Sequence, residues 1–205
     1  MKSAAYRGQA MEMDDLIDSF VETLNSASLE LLLQENVPLF LRDGDPDQYG
    51  YCGWKVRKAD CKSRVNIFQQ KLPKRFPPSY YSFISRYAFP AFQLGPIFLF
   101  GNTGQGNNWE LSKRIFLDEF MSSHLLQSWY LQIGNPQKYD YDPICFDIKR
   151  DTEWPIVQID HEDILCNLRI RVKREIAPSF LEFVQEFVGL DGLSEYELTH
   201  NVQEY

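Results

Sequence analysis

Four consecutive polar residues, Asp160-His161-Glu162-Asp163, close the apolar run PIVQI and form the densest cluster of acid–base groups in the chain. In a hydrolase or a metal site His161 would serve as general base or ligand, oriented by a carboxylate. Asp147 and Asp160 are the carboxylates a sheet would bring toward it. Consecutive residues of a helix do not face one another, however, so the four cannot converge on one point. A structural role fits the order better. Asp160 is placed to cap a short helix, with Glu162 and Asp163 in the first turn, where the helix dipole favours negative charge.

Two further patterns resemble ligand sites and fail on residue identity. Gly101 and Gly106 have the spacing of the two glycines of a phosphate-binding loop, but Asn107 and Asn108 stand where Lys and Ser or Thr are needed. The glycines also run G-x-x-G-x-G, which is not the dinucleotide fingerprint, so the loop reads as a turn. Asp43, Asp45 and Asp47 alternate like the first ligands of a calcium loop, yet Gln48 and Trp54 occupy the positions of its obligatory Gly and Glu. That segment reads as a solvated acidic turn. Cys52, Cys61, Cys145 and Cys166 contain no C-x-x-C pair, and His124, His161 and His200 have no zinc-finger spacing. Cys145 and Cys166 lie in apolar contexts and are expected in the core. Cys52 and Cys61 are near enough to meet across a hairpin, though neither a disulfide nor a metal is expected there. With no nucleophile-elbow, zincin or paired Cys/His signature, no catalytic, cofactor or metal residue is expected.

The elements that position these groups are legible from periodicity. MDDLIDSFVETLNS places Met13, Leu16, Ile17, Phe20, Val21 and Leu24 on one helical stripe, and SLELLLQEN is expected to continue it after a break. RDGDPDQYGYCG reads as loop. SRVNIFQQKL is a short helix ended by Leu72-Pro73, and PPSYYSFISRY is a helix opened by its prolines. PIFLF is a buried strand, and WELSKRIFLDEFMSSHLL is largely helical. SWYLQIG, PICFDI and PIVQI are strands. LRIRVKRE is expected as one more, with Leu168, Ile170 and Val172 alternating inward. APSFLEFVQEFVG closes the fold as a helix burying Phe180, Phe183, Val184 and Phe187, with Gly189 as its stop. Helices first, strands clustered in the middle and a helix last predict an α+β fold with a mostly antiparallel sheet. The expected organisation is an acidic helical arm and loop over 1–50, an α+β domain over 51–190 and a polar tail over 191–205.

The net charge is −8, with a pI near 4.9. Glu12 to Asp47 holds ten acidic residues and one basic, whereas Lys55 to Arg75 holds eight basic residues against Asp60. A net acidic chain argues against nucleic acid as partner and suits a basic protein partner. The absence of a signal-like apolar segment, of a membrane-length apolar run and of N-x-[ST] acceptors points to a cytoplasmic protein. Exposed residues expected to contact a partner are Asp43, Asp45 and Asp47 with the aromatics Tyr49, Tyr51 and Trp109.

The order of segments from about Trp54 to Phe187 resembles the SUKH superfamily. The resemblance is carried by Leu72-Pro73 before an aromatic helix, by Asp142-Pro143-Ile144-Cys145-Phe146-Asp147, and by the strand ending Asp160-His161-Glu162. The superfamily includes a yeast cell-wall-assembly regulator and many bacterial proteins. The resemblance implies an α+β fold and, for bacterial members, an immunity protein that binds and neutralises a toxin, often a nuclease. It implies no catalytic residues, and it gives Leu72, Pro73, Asp142, Pro143, Phe146 and Asp147 a part in holding the fold. A regulatory scaffold is the alternative function, and a small metal-dependent hydrolase using His161 a third.

Overall fold

The computed structural model describes residues 2–27, 29–104, 109–116, 119–138, 140–149 and 154–189. The first amphipathic stripe forms α1 (Lys2–Ser26) and buries Ile17, Phe20, Val21 and Leu24. Its polar side is also tied down. Asn25 donates to the Val56 carbonyl at 2.9 Å and accepts from the Val56 N–H at 2.8 Å, closing a two-bond clamp. Asp18 accepts from the Tyr87 hydroxyl at 2.6 Å and pairs with Arg86 and Lys58. These donors pull its carboxyl below the usual carboxylate range although burial opposes them. Part of the acidic N-terminal run is therefore neutralised inside the fold.

The chain then makes β1 (Leu32–Leu33), β2 (Arg42–Asp43) and β3 (Tyr51–Trp54), which form a small antiparallel sheet with β3 in the centre. The helix expected to continue over SLELLLQEN is replaced by this strand and a 3₁₀ turn at Gln34–Asn36. Leu31 is exposed and Leu32 buried, a period of two, and pairing of Leu32 with Cys52 overrides the helical propensity of leucine and glutamate. The boundary expected after residue 50 falls inside this sheet, and the α1 stripe shares one core with Phe83 and Phe187. β4 (Arg57–Lys58) pairs with β5 (Tyr87–Ala88), bracketing α2 (Lys62–Gln69) and α3 (Pro78–Arg86). Pro78 opens α3 at its first turn, where a missing N–H costs nothing.

The main sheet has six antiparallel strands that neighbour one another in strict chain order: β6 (Phe92–Leu94), β7 (Ile97–Leu99), β8 (Tyr130–Asn135), β9 (Ile144–Asp147), β10 (Ile156–Ile159) and β11 (Val172–Ala177). α4 (Glu110–Phe116) and α5 (Glu119–Gln127) lie between β7 and β8, α6 (His161–Asn167) lies between β10 and β11, and α7 (Phe180–Gly189) ends the described chain. The sheet is covered on both faces, so its central strands read as continuous apolar runs. Leu131, Phe146 and Ile156 join the core of α1, α3 and α7, while Tyr130, Cys145 and Val157 pack with Leu125 of α5 and Ile164 of α6. The edge strand starts later than its alternation predicts. Leu168 is the left-handed cap of α6 (φ 54°) and is exposed, as is Val172. Cys166, expected in the core, is exposed near the end of α6; Cys52, Cys61 and Cys145 are buried, and all four are free thiols.

The glycine loop after β7 is a structural device. A Cβ on Gly101 would stand 2.6 Å from the Ala91 nitrogen and 2.7 Å from the Pro90 carbonyl carbon, so glycine is required by close backbone approach. Asn102, fully buried, accepts from the Phe89 N–H at 3.0 Å and donates to the Ile84 and Tyr87 carbonyls at 2.9 and 2.6 Å. Arg64 donates to the carbonyls of Asn102 and Gly104. The remaining loop residues, Asn107 and Asn108 among them, lie outside the described residues. Asn102→Ala strands one buried donor and two buried carbonyls and is expected to cost about 3 kcal/mol. A urea denaturation midpoint within experimental scatter of the wild type would contradict that role for the side chain.

Candidate functional site

The loop between β8 and β9 and the junction of β10 with α6 meet at one polar cluster. Asp160 caps α6, its Oδ1 accepting from Glu162 N–H at 3.0 Å and Asp163 N–H at 3.3 Å, while Arg171 pairs with its other oxygen. Arg171 also reaches Asp163 at 3.0 Å. The Arg171 hydrogen bond holds the Asp160 carboxyl below the ordinary aspartate value. The capping role expected for Asp160 is the one observed.

His161 is turned toward Asp142 rather than toward Asp147 or Asp160. Asp142 Oδ1 lies 2.7 Å from His161 Nδ1 and accepts the His161 backbone N–H at 3.1 Å. Its Oδ2 accepts from Lys173 Nζ and from Gln158 Nε2, both at 2.8 Å. Only 3% of the Asp142 side chain is exposed. Burial by itself would raise its pKa, but the donors from Lys173, His161 and Gln158 together outweigh it and bring it down to about 2. The same contact raises Lys173. Asp147 is used elsewhere, its Oδ1 accepting the Lys149 N–H at 3.2 Å. The convergence of His161 with Asp147 and Asp160 is therefore replaced by a different pair. That pair spans 19 residues, a contact set by strand register that no local motif announces. The one sequence signal is the place of Asp142 in the DPICFD segment, where the resemblance implies only a part in the fold.

Asp140, Asp142 and His161 present ligand atoms within 4.8 Å of one another, a spacing compatible with a divalent cation. The donor set does not favour one. The Lys173 ammonium already supplies positive charge to Asp142, and both oxygens are engaged, so a metal would have to displace hydrogen bonds and sit beside a cation.

Beside this cluster lies an open groove of about 1010 Å³ between α4, the loop after β8 and the small sheet. Asp140 and Tyr141 reach its rim, but neither Asp142 nor His161 lines it, so the His–Asp pair does not face this groove. The expected contact residues behave unequally. Tyr49 is 73% and Tyr51 41% exposed. Asp47 Oδ1 accepts the Tyr49 and Tyr51 N–H groups at 2.9 and 2.8 Å, and Asp43 pairs with Lys55 at 2.9 Å. Asp45 is exposed. Trp109 is fully buried, its ring 4.8 Å from that of Phe68 and beneath the Arg64 guanidinium. It is a core residue, because the turn into α4 points it between α2 and the sheet rather than outward. No family model, no curated protein and no solved structure matches the chain. Among the described residues no helix is long and apolar enough to cross a membrane.

Because the folded pKa of Asp142 is depressed from 3.8 to about 2, its contribution is fully present above pH 3.8 and is lost as the pH falls toward 2. The wild type is expected to lose roughly 2 kcal/mol more over that interval than Asp142→Asn. Parallel acid limbs for the two proteins would refute the assignment.

Proposed function

We propose that this chain is a non-catalytic protein-binding module: a cytoplasmic immunity protein that neutralises a basic, nuclease-like toxin domain of a bacterial polymorphic toxin system. The observation that carries this reading is the surface from Leu39 to Tyr51. Leu39 is 79% and Phe40 57% exposed, alongside Tyr49 and Tyr51. The backbone that presents them is fixed. Arg42 donates to the Val37 and Gln34 carbonyls at 3.1 and 2.8 Å, Asp47 holds the turn, and β2 pairs with β3. Large apolar groups held rigidly in water lose little conformational entropy on docking, which is what a binding surface requires. Asp43, Asp45 and Asp47 interleave with them and steer a basic partner toward the same face.

Two further points support the reading. The resemblance to the SUKH superfamily implies it, and two of the groups that a hydrolase would use have structural partners, with the His161 Nδ1 held to Asp142 and Asp160 capping α6. The test is co-expression with the toxin domain encoded beside its gene, scored by growth rescue and by calorimetry on the purified pair. Phe40→Ala and Tyr49→Ala are each expected to cost about 2 kcal/mol of binding, roughly thirtyfold in Kd. Replacing Asp43, Asp45 and Asp47 by Asn is expected to slow association about tenfold at low salt and to leave dissociation nearly unchanged. A neighbouring toxin that is neither bound nor inhibited would sink the proposal.

A further inference from the structure

We infer that the groove between α4 and the loop after β8 is a small-molecule site that takes a phosphomonoester carried on an aromatic body. The inference goes beyond toxin binding and does not depend on it. The groove is lined by Lys113 and Arg114 in the last turn of α4, with Glu110 one turn before them and Tyr141 on the opposite loop. Among the described residues neither Lys113 nor Arg114 has a carboxylate within ion-pair distance. The Arg114 guanidinium lies 5.5 Å over the Phe100 ring, which holds it against the groove wall.

The acidic lining does not cancel this charge. Asp140 Oδ1 accepts the Asp142 N–H at 2.9 Å, so it is part of the neighbouring network. Glu110 is pushed up by burial, although Arg114, Lys113 and Lys138 all pull it down, and among the described residues it forms no ion pair with either groove cation. Glu35, exposed on the far wall, remains. Among the described residues the groove's cations without an ion pair include two adjacent side chains on one helix, suited to a dianionic head through a guanidinium fork and an ammonium. At about 1010 Å³ the groove reaches the upper end of the usual range for small-molecule sites, about 300–1000 Å³, and exceeds what an inorganic ion fills. Tyr141, 75% exposed at the rim, offers a face on which a flat ring stacks.

The glycine loop takes a different part from the one its spacing suggests. Gly101 and Thr103 form wall, and the cations come from α4, beyond the positions where a phosphate-binding loop would carry its lysine.

The test is isothermal titration calorimetry on the full chain at about pH 7.5 with AMP and phenyl phosphate, against adenosine, phenol and inorganic phosphate as the respective separate halves. AMP and phenyl phosphate are expected to bind one per chain, each at least about tenfold tighter than either half. The double variant Lys113→Ala, Arg114→Ala is expected to weaken AMP by about thirtyfold or more with an unchanged melting temperature, since both side chains are exposed. Glu110→Gln removes a like charge beside the head and is expected to tighten AMP by about threefold to tenfold, which a purely structural role for Glu110 would not produce. No saturable binding of either probe at about 5 mM overturns the inference, as does AMP binding that survives the double substitution. Inorganic phosphate as tight as AMP overturns the aromatic body.

Discussion

The rings of α3 are the constraint on which the rest of the molecule closes. Phe83 stacks on Phe89 at 4.5 Å, meets Phe20 of α1 edge-on at 5.5 Å and lies 5.9 Å from Phe180 of α7. Tyr80, one turn earlier, packs edge-on against Phe146 of β9 and Phe180, both at 5.1 Å. One short helix thus joins the N-terminal helix, the C-terminal helix and the middle of the main sheet. Edge-to-face and offset pairs of this kind add roughly 0.5–1.5 kcal/mol each beyond area burial. α3 cannot shift without opening several of them together.

Because α3 is fixed, the backbone that leaves it is fixed as well, and this is what places the groove. Asn102 bonds back to the carbonyls of Ile84 and Tyr87 at the end of α3, and Gly101 lets its loop pass against residues 89–91 at contact distance. The far side of the groove is set by β8 and β9 through the loop that carries Asp140, Tyr141 and Asp142. There the carboxylate of Asp142 plays the part that Asn102 plays on the near side: a buried polar group, fully satisfied, that pins irregular backbone to regular structure. The surface from Leu39 to Tyr51 is held differently, by the part-buried and exposed hydrogen bonds of Arg42 and Asp47.

The acidity of the chain divides into two kinds. Asp14 and Asp18 on α1 are paired with Arg86, Ser82, Tyr87 and Lys58, so they hold α1 to the body and contribute little field outside it. Asp45 and Asp47 lie in an exposed turn without an ion pair among the described residues and keep their field in solvent, whereas Asp43 is paired with the half-exposed Lys55. A count of charge along the sequence joins the two groups into one acidic arm. Only the packing separates charge that stabilises the fold from charge that a partner meets.

The sequence by itself determined most elements and their order, because helical stripes and apolar strands are local patterns: the α1 stripe, the proline-opened α3, the three central strands and the Phe-rich α7 all follow from spacing. It also determined the cap at Asp160, whose partners are two and three residues away. It misassigned the segment over 29–36 and the start of β11, where pairing with a distant strand or capping by Leu168 overrules local propensity. Trp109 is buried and Cys166 exposed, the reverse of what their local contexts suggest, because side-chain burial depends on what packs over a position. The His161–Asp142 pair and the groove cations Lys113 and Arg114 were decided by tertiary structure alone. The pair joins segments brought together by strand register, the cations face a groove that helix packing creates, and a single sequence carries no signal for contacts whose only cause is the closing of the core.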